Sequence, residues 1–292
     1  MILGVASGKG GTGKTFVSVN LAAVAAEPVQ LLDTDVEEPN CHLFVTPTLR
    51  RTVRVTRPVP VVDAARCTGC GDCSRLCQFH AIPLLGPHPV VFKDLCHGCG
   101  GCRWVCPVGA IRETGVEIGT VEVADTAFGT LIQGRLDVGQ AQSPPLIRAV
   151  KREARPDGLT IIDGPPGTAC PLAAALKGCD HVLLVAEPTR FGLYDLGLAV
   201  ETVRQLGVPL DVVINRSRGG VELVRGFCRQ QGIEVLAELP ESREAAVASA
   251  RGRLAVNELP ELRRAFEALL AAVRRRARPP RTRKELPLHA HL

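Results

Sequence analysis

Eight of the twelve cysteines in this 292-residue chain lie in two runs with one spacing, C-x2-C-x2-C-x3-C. The second run repeats the first at an offset of 29 residues, and several neighbouring residues repeat with it, which indicates an internal duplication. The runs are Cys67, Cys70, Cys73 and Cys77, and Cys96, Cys99, Cys102 and Cys106. Three thiolates on one tight loop can bind three corners of a metal cluster. The repeat therefore predicts metal or redox chemistry at two sites.

The spacing of both runs resembles that of bacterial ferredoxins, in which the fourth cysteine of one run ligates the cluster of the other. Applied to this chain, the resemblance implies two [4Fe-4S] clusters, each with four cysteine ligands. Site A is Cys67, Cys70, Cys73 and Cys106, and site B is Cys77, Cys96, Cys99 and Cys102. A pair of four-cysteine zinc sites is the alternative, but zinc fingers separate their two cysteine pairs by a longer loop.

A glycine-rich segment near the start of the chain, GKGGTGKT, matches the pattern G-x4-G-K-[ST]. It follows a predicted strand and opens a predicted helix, the context that a phosphate-binding loop requires and an unrelated glycine turn does not. We assign Lys14 to the β- and γ-phosphate oxygens and Thr15 to Mg²⁺. The predicted nucleotide-binding residues of this loop are Gly8, Lys9, Gly10, Gly11, Thr12, Gly13, Lys14 and Thr15.

The additional lysine, Lys9, makes this loop resemble the deviant Walker A form of the superfamily that contains MinD, Mrp and the nitrogenase iron protein. In that superfamily the extra lysine reaches the nucleotide of the partner subunit. The resemblance therefore implies catalytic roles for Lys9 and Lys14 in ATP hydrolysis. It also implies an ATP-dependent dimer, of two copies or with a related ATPase.

Two later segments strengthen the resemblance, each at the end of a predicted strand. Residues 33–35, Asp-Thr-Asp, resemble switch I, which gives Asp35 the role of positioning or activating the attacking water. Residues 163–167, Asp-Gly-Pro-Pro-Gly, resemble switch II and place Asp163 near Mg²⁺. Asn215 resembles the adenine-contacting asparagine of the family. Strand-end Asp and Asn residues also form turns and helix caps, and Asp33 fits that alternative as well.

Outside the cysteine repeat, short apolar runs alternate with helical patterns, which predicts βα units on a mostly parallel sheet flanked by helices. The predicted strands are Ile2–Ala6, Val29–Leu32, Leu159–Ile162, His181–Ala186, Leu210–Ile214 and Ile233–Leu239. The predicted helices are Lys14–Ala26, Pro145–Ala154, Gly192–Leu206, Val221–Gln231 and Glu261–Arg276. The fold class is an α/β P-loop NTPase that carries a small inserted ferredoxin domain of the α+β class.

The predicted ATPase domain is divided by this insertion. Its first part is 1–57, the ferredoxin domain is 58–116 with Pro58, Pro60 and Gly115 at its edges, and the second ATPase part is 117–276. A disordered basic tail, 277–292, follows.

The net charge of +5 comes from the end of the chain, because residues 274–292 alone carry a net charge of +6. The remainder is balanced, so nucleic acid is not an expected partner. The sequence has no apolar run long enough for a membrane span and no recognisable leader, so we expect a soluble, cytoplasmic protein. Disulfides do not persist in the cytoplasm, which favours metal or redox roles for the cysteines. The apolar stripe of the last helix fits packing on the sheet better than membrane contact.

Four cysteines lie outside the repeat. Cys170 follows Asp163 by seven residues, an offset at which nitrogenase iron-protein relatives place a cluster ligand, but no second cysteine of the matching kind is present. A small buried cysteine at a helix start is the simpler interpretation for Cys170, and Cys41, Cys179 and Cys228 are expected in the core.

Together these features predict an ATPase whose nucleotide state controls electron transfer through two [4Fe-4S] clusters to a redox partner that the sequence does not identify. The alternatives are an iron–sulfur assembly or carrier protein and a positioning ATPase similar to MinD.

Overall fold

The structure is a computed structural model and describes residues 1–155 and 157–277. Its strands are β1 (Ile2–Ala6), β2 (Val29–Asp33), β3 (Thr48–Val62), β4 (Ile111–Thr126), β5 (Gly129–Leu136), β6 (Leu159–Asp163), β7 (His181–Ala186), β8 (Leu210–Ser217) and β9 (Val235–Pro240). Its α-helices are α1 (Lys14–Val24), α2 (Asp72–Leu76), α3 (Gly101–Val105), α4 (Pro144–Arg152), α5 (Cys170–Leu176), α6 (Arg190–Gln205), α7 (Val221–Gln231), α8 (Arg243–Ala250), α9 (Ala255–Glu258) and α10 (Pro260–Arg276). All but the first residue of the predicted tail lies outside the described residues.

The strands form one nine-stranded sheet in the order β3-β4-β5-β2-β6-β1-β7-β8-β9. From β5 to β9 in that order every pairing is parallel, whereas β4 runs antiparallel to both β5 and β3. The predicted mostly parallel α/β sheet is therefore confirmed.

Helices cover both faces of the sheet, which explains why β1, β2, β6 and β7 are rich in apolar residues and are buried along nearly their whole length. Helices α4 to α7 pack on one face, and α1 with α8 to α10 packs on the other. The apolar stripe of α10 from Leu262 to Val273 is buried on the sheet, as predicted. Within the described ranges, 1–155 and 157–277, no helix has both the length and the apolar character needed to cross a membrane.

Strands β3, β4 and β5 are the main elements that the sequence did not predict. In β3, Pro58 and Pro60 looked like the edge of an inserted domain, but β3 is an edge strand, where a missing backbone N–H is tolerated. The expected boundaries at 57/58 and 116/117 fall inside paired strands, because Pro58 lies opposite Gly115 and the pairing continues on both sides. Residues 58–116 thus begin and end within strands of the main sheet.

The pairing register places the cysteines relative to the rest of the sheet. Asp33 at the end of β2 pairs with Gln133 of β5. Gln133 in turn pairs with Glu122 of β4, and Glu122 pairs with Thr52 of β3. Because β3 is parallel to β2, its last ten residues extend past the carboxyl edge of the sheet, by about 33 Å at ~3.3 Å per residue. The final seven residue pairs, Thr56–Glu117 to Val62–Ile111, form a two-stranded ribbon with which no other described strand pairs.

The tip of this ribbon carries the cysteine lobe, which we define as residues 63–110. Its two halves repeat: α2 and α3 are each five residues long and lie 29 residues apart in the sequence. Each begins after a left-handed glycine, Gly71 with φ 78° and Gly100 with φ 76°, and each is followed by a cysteine in extended conformation. The sequence duplication is therefore a duplication of structure.

The helix that opens with Lys14 depends on packing by Phe266. This α10 side chain is fully buried and contacts the Phe16 ring edge to face, with ring centroids 5.9 Å apart. We expect Phe266→Ala to lower the free energy of unfolding by ~3–5 kcal/mol because it leaves a cavity beneath α1. Urea denaturation measures the loss. The same truncation at Phe191, which is 82% exposed, is the control, with an expected change within ~0.5 kcal/mol. Equal losses in the two variants would contradict this packing role.

Candidate functional site

The phosphate-binding loop joins β1 to α1 and is held in shape by Asn215. The Asn215 side-chain amide donates a hydrogen bond of 2.8 Å to the Thr12 carbonyl oxygen and is buried. Gly13, with φ 90°, ends the loop, and a Cβ at this position would collide with the same amide. The residue expected to contact adenine therefore supports the loop backbone in this structure.

Asp163 connects the loop to the segment expected to be switch I. Its carboxylate accepts hydrogen bonds of 2.7 Å from the Thr15 and Ser18 hydroxyl groups. Its backbone oxygen accepts from the Thr34 N–H at 3.0 Å and from the Thr34 hydroxyl at 2.7 Å. Asp163 therefore connects α1 to the end of β2 by direct hydrogen bonds.

Asp33 organises the turn that follows β2. Its carboxylate oxygens accept from the backbone N–H groups of Asp35 at 3.1 Å and of Asn40 and Cys41 at 2.9 Å each. Burial raises the pKa of Asp33 to about 7, and the nearby Asp163 carboxylate adds to the effect. In this structure Asp33 therefore stabilises a turn, which is the alternative role that the sequence allowed for it.

Lys14 and Asp35 belong to the same cluster of charges as Asp33 and Asp163. Burial lowers the pKa of Lys14, although the carboxylates of Asp163, Asp35 and Asp33 oppose the shift. Burial raises the pKa of Asp35 to about 6, and Lys14 counteracts it. A bound phosphate would meet one buried cation beside three carboxylates, an arrangement that also suits a divalent cation.

The donor atoms fit Mg²⁺ at this position, with one soft neighbour. Asp33, Cys41 and Asp163 each offer an atom within 4.8 Å of the others, and the Thr15 hydroxyl group lies beside Asp163. Mg²⁺ prefers oxygen ligands, so the hydroxyl and carboxylate groups would hold it. Cys41 Sγ donates to Asp163 at 3.5 Å, and burial holds the pKa of this thiol well above its usual range. The sequence analysis placed Cys41 in the core without its contact to Asp163, and it missed Ser18.

Lys9 lies at the surface of the loop and forms an ion pair with Glu187 of its own chain, at 3.3 Å. Glu187 also pairs with Arg216 at 2.8 Å. Gly8, at the start of the loop, packs against the Asp195 backbone so closely that any side chain would collide. The loop thus rests on α6 as well as on α1.

The eight repeat cysteines line two separate cavities in the cysteine lobe. One cavity contains Cys67, Cys70, Cys73 and Cys106, and the other contains Cys77, Cys96, Cys99 and Cys102. These are the memberships of site A and site B, including the exchange of Cys77 and Cys106 between the runs. All eight are free thiols.

Backbone N–H groups point at three of these sulfur atoms. Ala81 donates to Cys77 at 3.3 Å, and Ala110, its equivalent in the repeat, donates to Cys106 at 3.2 Å. Gly98 donates to Cys96 at 3.4 Å. Such hydrogen bonds stabilise thiolates and tune the potential of a cluster, so the residues present fit an iron–sulfur cluster in each cavity.

An aromatic pair borders site B. The rings of Phe79 and His97 are stacked, with centroids 3.5 Å apart and planes at 10°. Burial lowers the pKa of His97, and the nearby Arg57 guanidinium adds to the effect. The sequence analysis did not single out Phe79 or Arg57.

The remaining cysteines differ in exposure. Cys179 and Cys228 are buried, as predicted, and burial raises the pKa of each thiol to about 11. Cys170 does begin helix α5, but the expectation that it is buried is wrong. It is exposed because only Leu172, Ala175 and Leu176 of this helix face the core.

Comparison with solved structures gives matches that share this fold over nearly the whole chain. MinD of Pyrococcus horikoshii in complex with Mg-ADP has a TM-score of 0.56 at 19% identity, covering 93% of this chain and 95% of that one. The cell division ATPase MinD of Pyrococcus furiosus has a TM-score of 0.57 at 20% identity, covering 94% and 99%. At these identities the likeness concerns the fold.

Sequence comparison gives relatives that cover about three quarters of the chain. The uncharacterized proteins MJ0578 and MJ0579 of Methanocaldococcus jannaschii are 35% and 30% identical over 226 and 221 residues. These stretches cover 74% of this chain in each comparison, and 78% and 80% of the two relatives. The profile of the CobQ/CobB/MinD/ParA nucleotide binding domain matches residues 3–256, which contain the phosphate-binding loop and both aspartate segments. The chain therefore belongs to the CobQ/CobB/MinD/ParA family of nucleotide-binding proteins.

Proposed function

We propose that this protein is an ATPase that holds two [4Fe-4S] clusters in its cysteine lobe and couples its nucleotide state to electron transfer through them. One observation carries the proposal: two cavities, each lined by four cysteines, lie on a ribbon that rises from the nucleotide-binding edge of the sheet. Family membership supports the nucleotide half, and the cysteine geometry supports the redox half.

The ATPase part uses groups that already lie together. Lys14 binds the β- and γ-phosphates, Thr15 holds Mg²⁺, and Asp163 is within reach of that ion through its contact with Thr15. Asp35 positions or activates the attacking water, and its raised pKa suits a group that accepts a proton near neutral pH. When bound at Thr15 and Asp163, Mg²⁺ would supply positive charge beside the phosphates.

Two copies of the chain form an ATP-dependent dimer in this proposal. Lys9, which is partly exposed, would leave Glu187 and contact the phosphates of the partner subunit. Glu187 would keep an ionic partner after this change, because Arg216 also pairs with it. The exchange therefore leaves no carboxylate unpaired at this position.

A route for coupling starts directly after Asp35. The carbonyl oxygen of Val36 accepts from the Leu136 N–H at the end of β5, at 2.8 Å. The next residue, Asp137, binds Arg54 of β3 at 2.7 Å, and Arg54 also binds Glu117 of β4 at 2.6 Å. Movement of switch I would thus pull on both strands at the base of the ribbon, and we propose that this reorients the cysteine lobe.

Two other functions, a positioning ATPase and a cluster carrier, would require different properties of the ATPase domain and the cysteine lobe. The neighbours named MinD favour a positioning ATPase, in which the cysteine lobe would be cargo. A cluster carrier would need cysteines that release a cluster. Outside the repeat, however, Cys228 is the only cysteine late in the ATPase domain, and it is buried. Two closed sets of four ligands favour electron transfer over cluster transfer.

The exchange of Cys77 and Cys106 between sites can be tested by double substitution. Wild-type protein purified without oxygen should contain about eight irons and eight acid-labile sulfides per chain. We expect Cys106→Ala with Cys70→Ala to retain about four irons, because both residues belong to site A. Cys106→Ala with Cys99→Ala should retain none, because one ligand is lost from each site. Cys70 and Cys99 are repeat equivalents and both exposed, so the two variants are matched.

The opposite pattern, with no iron in the first double variant and about four irons in the second, would show that each run holds its own cluster. Zinc in place of iron and sulfide in the wild type would refute the clusters altogether.

The nucleotide site is tested by Lys14→Ala. Loss of the buried ammonium that contacts the transferred phosphate should lower ATP hydrolysis by at least about 100-fold. The iron content should stay at the wild-type value, because Lys14 lies on the ATPase part of the sheet. Lys177→Ala, at an exposed lysine, is the control and should hydrolyse ATP normally. Normal turnover in the Lys14 variant would overturn the assignment of the loop.

A further inference from the structure

Arg57 of β3 is a buried cation beneath the cysteine loop of site B. Its side chain is 4% exposed. One terminal nitrogen, Nη1, donates to the carbonyl oxygen of Cys96, and Nη2 donates to the Lys93 carbonyl at 3.2 Å. Its Nε is buried and has no hydrogen-bond partner among the described residues. The guanidinium therefore lies against the backbone of a site B ligand.

Among the described residues, the charge of Arg57 has no carboxylate partner. No described Asp or Glu forms an ion pair with it, whereas Arg54 of β3 and Arg103 of the lobe each form one. A buried, unpaired guanidinium is costly unless an anion is near. A cubane with four thiolate ligands is such an anion, with a net charge of about −2 when oxidised and about −3 when reduced.

The duplication provides an internal comparison at site A. A Cβ on Gly98 would lie 2.9 Å from the Pro58 carbonyl oxygen, and a Cβ on its equivalent, Gly69, would lie 2.7 Å from that of Pro87. Pro58 and Pro87 therefore occupy equivalent places, 29 residues apart. The residue before Pro58 is Arg57, but the residue before Pro87 is Gly86. Site A has no cation at the matching position.

At site A, the arginine whose contacts most resemble those of Arg57 is Arg75, but it is exposed and its charge is neutralised. Arg75 Nη1 donates to the Cys70 carbonyl at 3.1 Å, which resembles the bond from Arg57 to Cys96. The Arg75 side chain, however, is 68% exposed and forms an ion pair with Asp72. Solvent and Asp72 screen its charge, so its effect on a nearby anion is small.

We propose that Arg57 raises the reduction potential of site B above that of site A. The inference rests on the proposed clusters. Reduction adds one negative charge, and a buried cation close by stabilises the more negative state, so the potential rises. One electron donated to the lobe then resides at site B, beside the Phe79–His97 pair, with no bond formed or broken.

The test is a dithionite titration of the full chain without oxygen, monitored by EPR. Single variants assign the signals, because Cys70→Ala removes site A and Cys99→Ala removes site B. We expect the Cys70→Ala protein to be reduced at a higher potential than the Cys99→Ala protein. Within the wild type, Arg57→Gln should lower the site B potential towards that of site A, and Arg57→Lys should lower it less because the charge remains. Arg75→Gln is the matched control and should shift neither potential.

A higher potential at site A than at site B would overturn the inference, as would an unchanged site B potential in an Arg57→Gln protein with full iron content. The comparison of Cys70→Ala with Cys99→Ala decides the order even where Arg57→Gln fails to fold. A wild-type protein without iron and sulfide would refute the proposed function, so the two failures are distinguishable.

Discussion

The antiparallel pairing of β4 with both β5 and β3 is the constraint on which the arrangement of this protein depends. It continues a parallel sheet for two more strands and aligns Thr52 of β3 with Asp33 of β2. Everything after Thr52 in β3 must then extend beyond the edge where the phosphate-binding loop lies. Hydrogen-bonded strands hold the cysteine lobe beyond that edge, in a position that a flexible linker would not fix.

Buried charges are balanced in opposite ways at the nucleotide site and in the cysteine lobe. At the nucleotide end, Lys14 lies among Asp33, Asp35 and Asp163, and their pKa values are shifted mainly by burial. At the lobe, Arg57 is buried and has no carboxylate partner in the part of the chain that the structure describes. A surplus of carboxylates suits a divalent cation, and an unpaired guanidinium suits an anionic cluster. Each end is thus electrostatically prepared for the ligand that we propose for it.

Local sequence patterns were enough to predict the parallel core. The spacing of Leu262, Phe266 and Val273 predicted the buried face of α10, and the order strand, loop and helix predicted the site of Lys14. Strand β3 was missed because its prolines are acceptable only at a sheet edge, and edge position depends on the pairing of distant strands. The contact of Cys41 with Asp163 and the burial of Arg57 also depend on residues far away in the sequence.

The central claim is that nucleotide state and cluster state are coupled. The most direct measurement is the midpoint potential of each cluster in anaerobic wild-type protein, with Mg-ADP and with Mg²⁺ and a non-hydrolysable ATP analogue. We expect at least one potential to differ between the two nucleotide states, and we expect no difference in Lys14→Ala. Identical potentials in a protein that hydrolyses ATP, or departure of the clusters to an apo acceptor on addition of ATP, would contradict the claim.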